Sequence, residues 1–150
     1  MEKTSLDLTK TPPRSVREKL FGVVQIPRTI DKAEALAHGN VGEYNYDCPM
    51  DNALFEFLGI DGKALLEVVK TKSEKDVEAY IKPFVDKKSA DEIERWNTDW
   101  LNHGPDPGSQ SEAYFLNMRN ELAPDRTDIV MWADLLDLDE KRPVPKRNAA

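Results

Sequence analysis

A serine with an acid three places on, followed by apolar residues at intervals of three and four, is the feature that most constrains this fold. It occurs at Ser73 and Asp76, ahead of Val77, Tyr80, Ile81 and Phe84, and at Ser89 and Glu92, ahead of Ile93, Trp96, Trp100 and Leu101. The hydroxyl accepts from a backbone N–H that a helix start leaves without a partner, and the spacing that follows gives the helix one apolar stripe. Asp61 stands in the same way before Leu65-Leu66 and Val68-Val69, and residues 51–58 give another helical segment. Pro27 at a tolerated first position and Gly39 just past the end frame a helix from Pro27 to about Ala37. Ser15 and Glu18 predict a short helix that Gly22 ends. Further helices are expected over residues 111–122 and 126–138, with a loop at His103–Gly108, and the Ser73 helix is expected to end or kink at Pro83.

The fold class that follows is all-α, a compact bundle of about six to eight short helices. Polar and aromatic residues alternate at 43–46, which allows one small hairpin there. A chain of 150 residues suits one domain, and a domain of that size buries roughly 68–70% of its unfolded surface. We place a single helical domain at 1–142 and a disordered tail at 143–150, where Pro143 and Pro145 interrupt a polar run.

The net charge of −7 sets nucleic acid aside as a partner, because phosphate binding needs a basic face. Residues 1–32 nevertheless hold seven Lys/Arg against four acids, a net of +3 that leaves −10 for the rest. A small anion could be held near the first third; a long polyanion would be repelled by the remainder. No apolar run approaches the ~18 residues of a membrane span, and Met1–Thr4 lacks the apolar region of a signal peptide. With Cys48 as the lone cysteine, no internal disulfide can form. The expectation is a cytoplasmic protein with no membrane partner.

Ionisable groups and tyrosines crowd between Arg28 and Asp51. A helix–turn–helix there would bring together Arg28, with Arg14, as a fork for a carboxylate or phosphate, and Asp31 and Lys32 as further ligand-binding residues. Glu43 or Asp51 would serve as general base and Tyr44 as proton donor. The bland alternatives are as concrete: Arg28 and Asp31 as a surface pair at i,i+3, Asp51 as a helix cap, Tyr46 as a core edge, Cys48 as a buried structural thiol.

Several strings in one order resemble a known family. They are Leu6-Asp7-Leu8-Thr9-Lys10 with Pro12-Pro13-Arg14-Ser15 and Arg17, then Pro27-Arg28, Asp31-Lys32, Gly42-Glu43-Tyr44, Cys48-Pro49, Asp51 and Phe55–Asp61. Asp128-Ile129, Trp132 and Asp134–Asp139 continue the likeness to the C-terminal end. The family is a bacterial one, catalogued as a domain of unknown function, number five thousand and sixty-nine. The resemblance implies a small bacterial single-domain protein and assigns no activity. Members often carry Arg where this chain has Glu34.

Other chemistries lack their residues. His38 and His103 with one cysteine do not make a usual zinc set, so no metal is expected. His38 reads as a helix C-terminal residue interacting with the dipole. Residues 59–64 lack the spacing of a phosphate-binding loop, and no cofactor motif occurs. The acids Asp134, Asp137, Asp139 and Glu140 lack the register of a calcium loop and read as a solvated helix end. The first expectation is therefore a protein that binds a small anionic molecule, with cofactor-free acid/base chemistry on it. The alternative is a non-catalytic interaction or scaffold domain meeting a protein partner.

Overall fold

The computed structural model describes residues 6–147. Among them are seven helices and one two-stranded sheet, so the fold is all-α as the capping pattern predicts. In order these are β1 (Lys19–Leu20), β2 (Val23–Val24), α1 (Ile26–Ala37), α2 (Pro49–Leu58), α3 (Gly62–Thr71), α4 (Glu74–Asp86), α5 (Ala90–Leu101), α6 (Gln110–Leu122) and α7 (Trp132–Asp139). The chain divides into two compact units, and the division falls inside α5, after Glu94. Residues 148–150 of the expected tail and the start at Met1–Thr4 lie outside the described residues.

In the first unit α3 packs on α1, α2 and α4. Caps set the helix starts. Asp61 accepts from the N–H groups of Lys63 and Ala64, and the Ser73 hydroxyl accepts from Asp76 N–H. Ser89 and Glu92 make a reciprocal capping box: Glu92 N–H donates to the serine hydroxyl and Ser89 N–H to the glutamate. Gly62 lets α3 start directly against Phe55, since a Cβ there would lie 2.6 Å from the ring. Ile26, Leu54, Leu65, Val77 and Ile81, each at most 2% exposed, form the core. A gap of about 10 Å³ lined by Ile30, Leu58, Ile60 and neighbouring apolar groups has room for no more than one water.

Three expectations are corrected in this unit. Residues 15–20 form no helix; Lys19–Leu20 pairs antiparallel with Val23–Val24 across a two-residue turn, Phe21-Gly22, with φ of 53° and 82°. Positive φ at both turn residues matches the twist of a hairpin, and the β-branched pair Val23-Val24 is fully buried behind it. The small sheet is here and not near 43–46, where the chain makes turns. The α4 helix also runs past Pro83 to Asp86. The carbonyl that Pro83 leaves unpaired belongs to Ala79, and both residues are exposed, so water can serve it. Val85, 4% exposed, anchors the last turn to the core.

The second unit is built on α6 packed against α7. Phe115, Ile129 and Leu135 form its buried cluster, with Met118, Trp132, Leu138 and Val144 against it. Residues 126–131, expected to be helical, are turn and extended, and α7 starts at Trp132. Gly104 is required by contact: an added Cβ would lie 2.5 Å from the Val130 carbonyl oxygen. Contacts continue beyond 142, since Val144 joins the cluster and Arg147 pairs with Asp134.

Candidate functional site

Helix α1 is the one on which the ionisable residues converge. Residues 26–35 are all buried, and four of them, Arg28, Asp31, Lys32 and Glu34, are charged. A helix sunk this deeply must satisfy its charges inside the protein, because an unpaired buried ion costs several kcal/mol. Two polar sets do so for Arg28, Asp31 and Lys32, while Glu34 Oε1 lies 3.6 Å from His38 Nδ1.

The first set joins α1 to the preceding extended segment. The Arg14 guanidinium forks onto Asp31, with Nε to Oδ2 at 3.0 Å and Nη2 to Oδ1 at 2.9 Å, and Arg14 N–H donates to the same carboxylate. That carboxylate, the first cause, holds the Arg14 pKa above its ordinary value. Arg28 donates from Nη1 to the Arg14 carbonyl at 3.2 Å, and its guanidinium lies over the Tyr44 ring, 5.7 Å from the centroid. Glu43 is exposed in the turn beside Tyr44.

The second set joins α1 to the start of α2. Lys32 Nζ lies 2.8 Å from Asp51 Oδ2, with side chains 6% and 0% exposed. The ammonium also donates to the Asn45 carbonyl at 3.1 Å and to Cys48 Sγ at 3.5 Å. Asp51 accepts in addition from Thr29 Oγ1 at 2.8 Å, Gln25 Nε2 at 3.3 Å and Asp47 N–H at 3.0 Å. From the first turn of α2 it reaches back to the residue before Cys48, the N-cap, whose own side chain makes no cap bond. Tyr46 donates its hydroxyl to the Gly62 carbonyl at 2.6 Å and packs edge-on to Phe55. Burial, then the nearby Asp51 and Asp47 carboxylates, push its pKa upward.

The predicted residues therefore meet, but in other pairings. Arg14, Arg28, Asp31 and Tyr44 form one set, Lys32 and Asp51 the other, and Glu43 stands outside both. The i,i+3 pair expected of Arg28 and Asp31 is replaced for Asp31 by Arg14, seventeen positions away. Sequence reading passed over Gln25 and Thr29, whose value lies only in facing Asp51 across the fold. His38 caps α1, its Nδ1 lying 2.9 Å from the Glu34 carbonyl.

Of the acids expected to be a solvated helix end, Asp139 is exposed and Asp134 and Asp137 are not. Asp134 and Asp137 are 1% and 5% exposed. Arg147 forks onto Asp134, and Arg142 pairs with Asp137 and Glu140. Among the described residues no group of His, Cys, Asp or Glu is arranged to hold a metal ion. No helix among them is long and apolar enough to cross a membrane.

Fold and site together define a small helical protein whose first helix carries a buried set of charges, with Asp31 paired to Arg14 and Lys32 to Asp51. The chain belongs to the family described as Domain of unknown function (DUF5069), whose model matches residues 10–142. Comparison with curated proteins finds no match.

Proposed function

We propose that this protein is a non-catalytic interaction module, in which the ionic residues of α1 hold the fold and the surface meets a protein partner. The state of Asp51 carries this reading. A fully buried carboxylate that already accepts from Lys32, Thr29, Gln25 and Asp47 N–H has no lone pair to offer a substrate proton. Lys32 spends its three donors on Asp51, Asn45 and Cys48. The outer surface supports the same view. Of the six exposed large apolar side chains among the described residues, four (Tyr114, Leu116, Leu122 and Val130) fall within 114–130.

One observation favours a second reading, a small anionic molecule bound at Arg14. That side chain is 43% exposed, and its fork could exchange Asp31 for a ligand carboxylate or phosphate. Arg28 would then support Arg14, and Tyr44 or Glu43 would move the proton. Thermal unfolding against a panel of small anionic metabolites separates the two. A ligand at 100 times its dissociation constant adds ~2.7 kcal/mol, a shift on the order of 5–10 °C for a chain this long. The interaction reading expects no such shift. A shift that Arg14→Ala abolishes would overturn it in favour of the anion.

A further inference from the structure

We propose that the row of Trp96, Trp100 and His103 is the docking surface for a cationic partner, a segment whose arginine side chains lie on these rings. The inference rests on the interaction reading and names the chemistry of the partner. The Trp96 and Trp100 rings stack with centroids 5.7 Å apart and planes 17° from parallel, and His103 continues the stack at 5.4 Å and 12°. Spacings of four and three keep the three rings on one side of α5 and its end. The indoles are half-buried and the imidazole is exposed. Main chain fixes the outer end of the row. His103 N–H donates to the Trp100 carbonyl at 3.1 Å, and the His103 carbonyl accepts from Trp132 N–H at 3.0 Å. Gly104, next in the chain, lies against the Val130 carbonyl oxygen, and Val130 itself is 55% exposed. Rings already held in place lose little freedom when a partner arrives, which suits them to anchor an interface.

Charge selects the partner. From Arg95 through Glu140 the chain has ten acids, three arginines and no lysine. Two of those arginines are engaged within the unit, Arg119 with the Ile129 carbonyl and Arg126 with the Asp128 carboxylate. Of the four cations that follow at 141–147, Arg142 and Arg147 pair with acids of α7. Asp99 stands three places after Trp96, hence beside it on the helix, and Asp106 stands three places after His103; both are exposed. A guanidinium is planar and weakly hydrated, so it can lie on an aromatic face while its N–H fork meets a carboxylate at the rim. A phosphate-bearing or acidic partner would be repelled by the same rim.

The test is fluorescence anisotropy with a labelled peptide of alternating arginine and alanine, titrated with the full chain. Peptides with lysine or glutamine in place of every arginine run beside it. The arginine peptide should bind, the lysine peptide more weakly, and the glutamine peptide not at all. His103→Ala, at an exposed position, and Trp100→Leu should each weaken the arginine peptide about fivefold. Asp99→Asn should weaken it as well and flatten its salt dependence. No binding of the arginine peptide overturns the proposal. So does an unchanged affinity in a His103→Ala variant of native circular dichroism, which would mean attraction to scattered acids. A glutamine peptide that binds as well as the arginine one overturns the cationic partner. Wild-type dimers that His103→Ala dissociates would put a second copy on the row and overturn a foreign partner. Failure of the peptide without any anion shift leaves the interaction reading standing; an anion shift lost in Arg14→Ala removes that reading itself.

Discussion

Lys32 and Asp51 show what a buried ion pair is for. Bringing two charges out of water costs several kcal/mol per ion, and their attraction returns this only when every remaining donor and acceptor is met. Here three segments meet them: Asn45 and Cys48 serve the ammonium, and Gln25, Thr29 and Asp47 serve the carboxylate. Lys32→Met leaves that carboxylate uncompensated, and we expect it to lower stability by ~3–5 kcal/mol. Adding Asp51→Leu should recover part of the loss. It will not recover all of it, because Thr29, Gln25 and the Asp47 N–H then lose their acceptor. Urea midpoints of the two single variants and the double variant measure both effects; simple addition of the single losses would show that the pair is not coupled. The crowding of charge between Arg28 and Asp51 was legible in the sequence. Its burial was not, because the partners of Asp31 and Lys32 come from Arg14 and from the turn before α2, and no local spacing encodes that.

At the scale of elements, the starts were easier to read than the ends. Ser73, Ser89 and Asp61 work as caps because the side chain and the N–H it serves are two or three residues apart. Ser15 carries the same pattern and fails, since Phe21-Gly22 and the buried Val23-Val24 favour a hairpin over one weak helical turn. Gly104 was legible as part of a loop and Gly62 not at all, and for both it is tertiary contact that demands glycine. Gly62→Ala meets a Phe55 ring that can shift and should cost ~1–3 kcal/mol. Gly104→Ala meets the Val130 backbone and should cost more, as a comparison of melting temperatures will show. The turn ahead of α7 has its own signature. Arg126, and then the Arg147 N–H, hold the Asp128 carboxyl below the usual carboxylate range. A depressed acid stabilises above its unfolded pKa, ~3.9, and that stability is lost as pH falls below it. Asp128→Asn should flatten the acid dependence of unfolding between about pH 5 and 2; an unchanged slope would show that Asp128 contributes none.

The whole molecule divides inside one helix, and this bears on how it unfolds. Trp96, Trp100 and Trp132 all belong to the unit that begins at Arg95, whereas helices α1 to α4 belong to the other. Tryptophan emission therefore follows one unit while far-ultraviolet circular dichroism follows both. The second unit has a small buried cluster of Phe115, Ile129 and Leu135, and a small core is the less stable one. We expect emission to change at lower urea than ellipticity, and coincident curves would show that the two units unfold together. Length and composition are those of one domain and do not mark this division.

The Lys32–Asp51 contact also constrains how this chain can change over generations. If either residue replaced alone is worse than both replaced together, as expected above, the route from an ionic to an apolar pair crosses a variant of lowered stability. Such a valley locks the pair in place as an accident of history as much as a requirement of use. In a library that samples all single substitutions, positions 32 and 51 should look indispensable. A library of paired substitutions should recover part of that loss, with Thr29 and Gln25, which lose their acceptor, setting the limit.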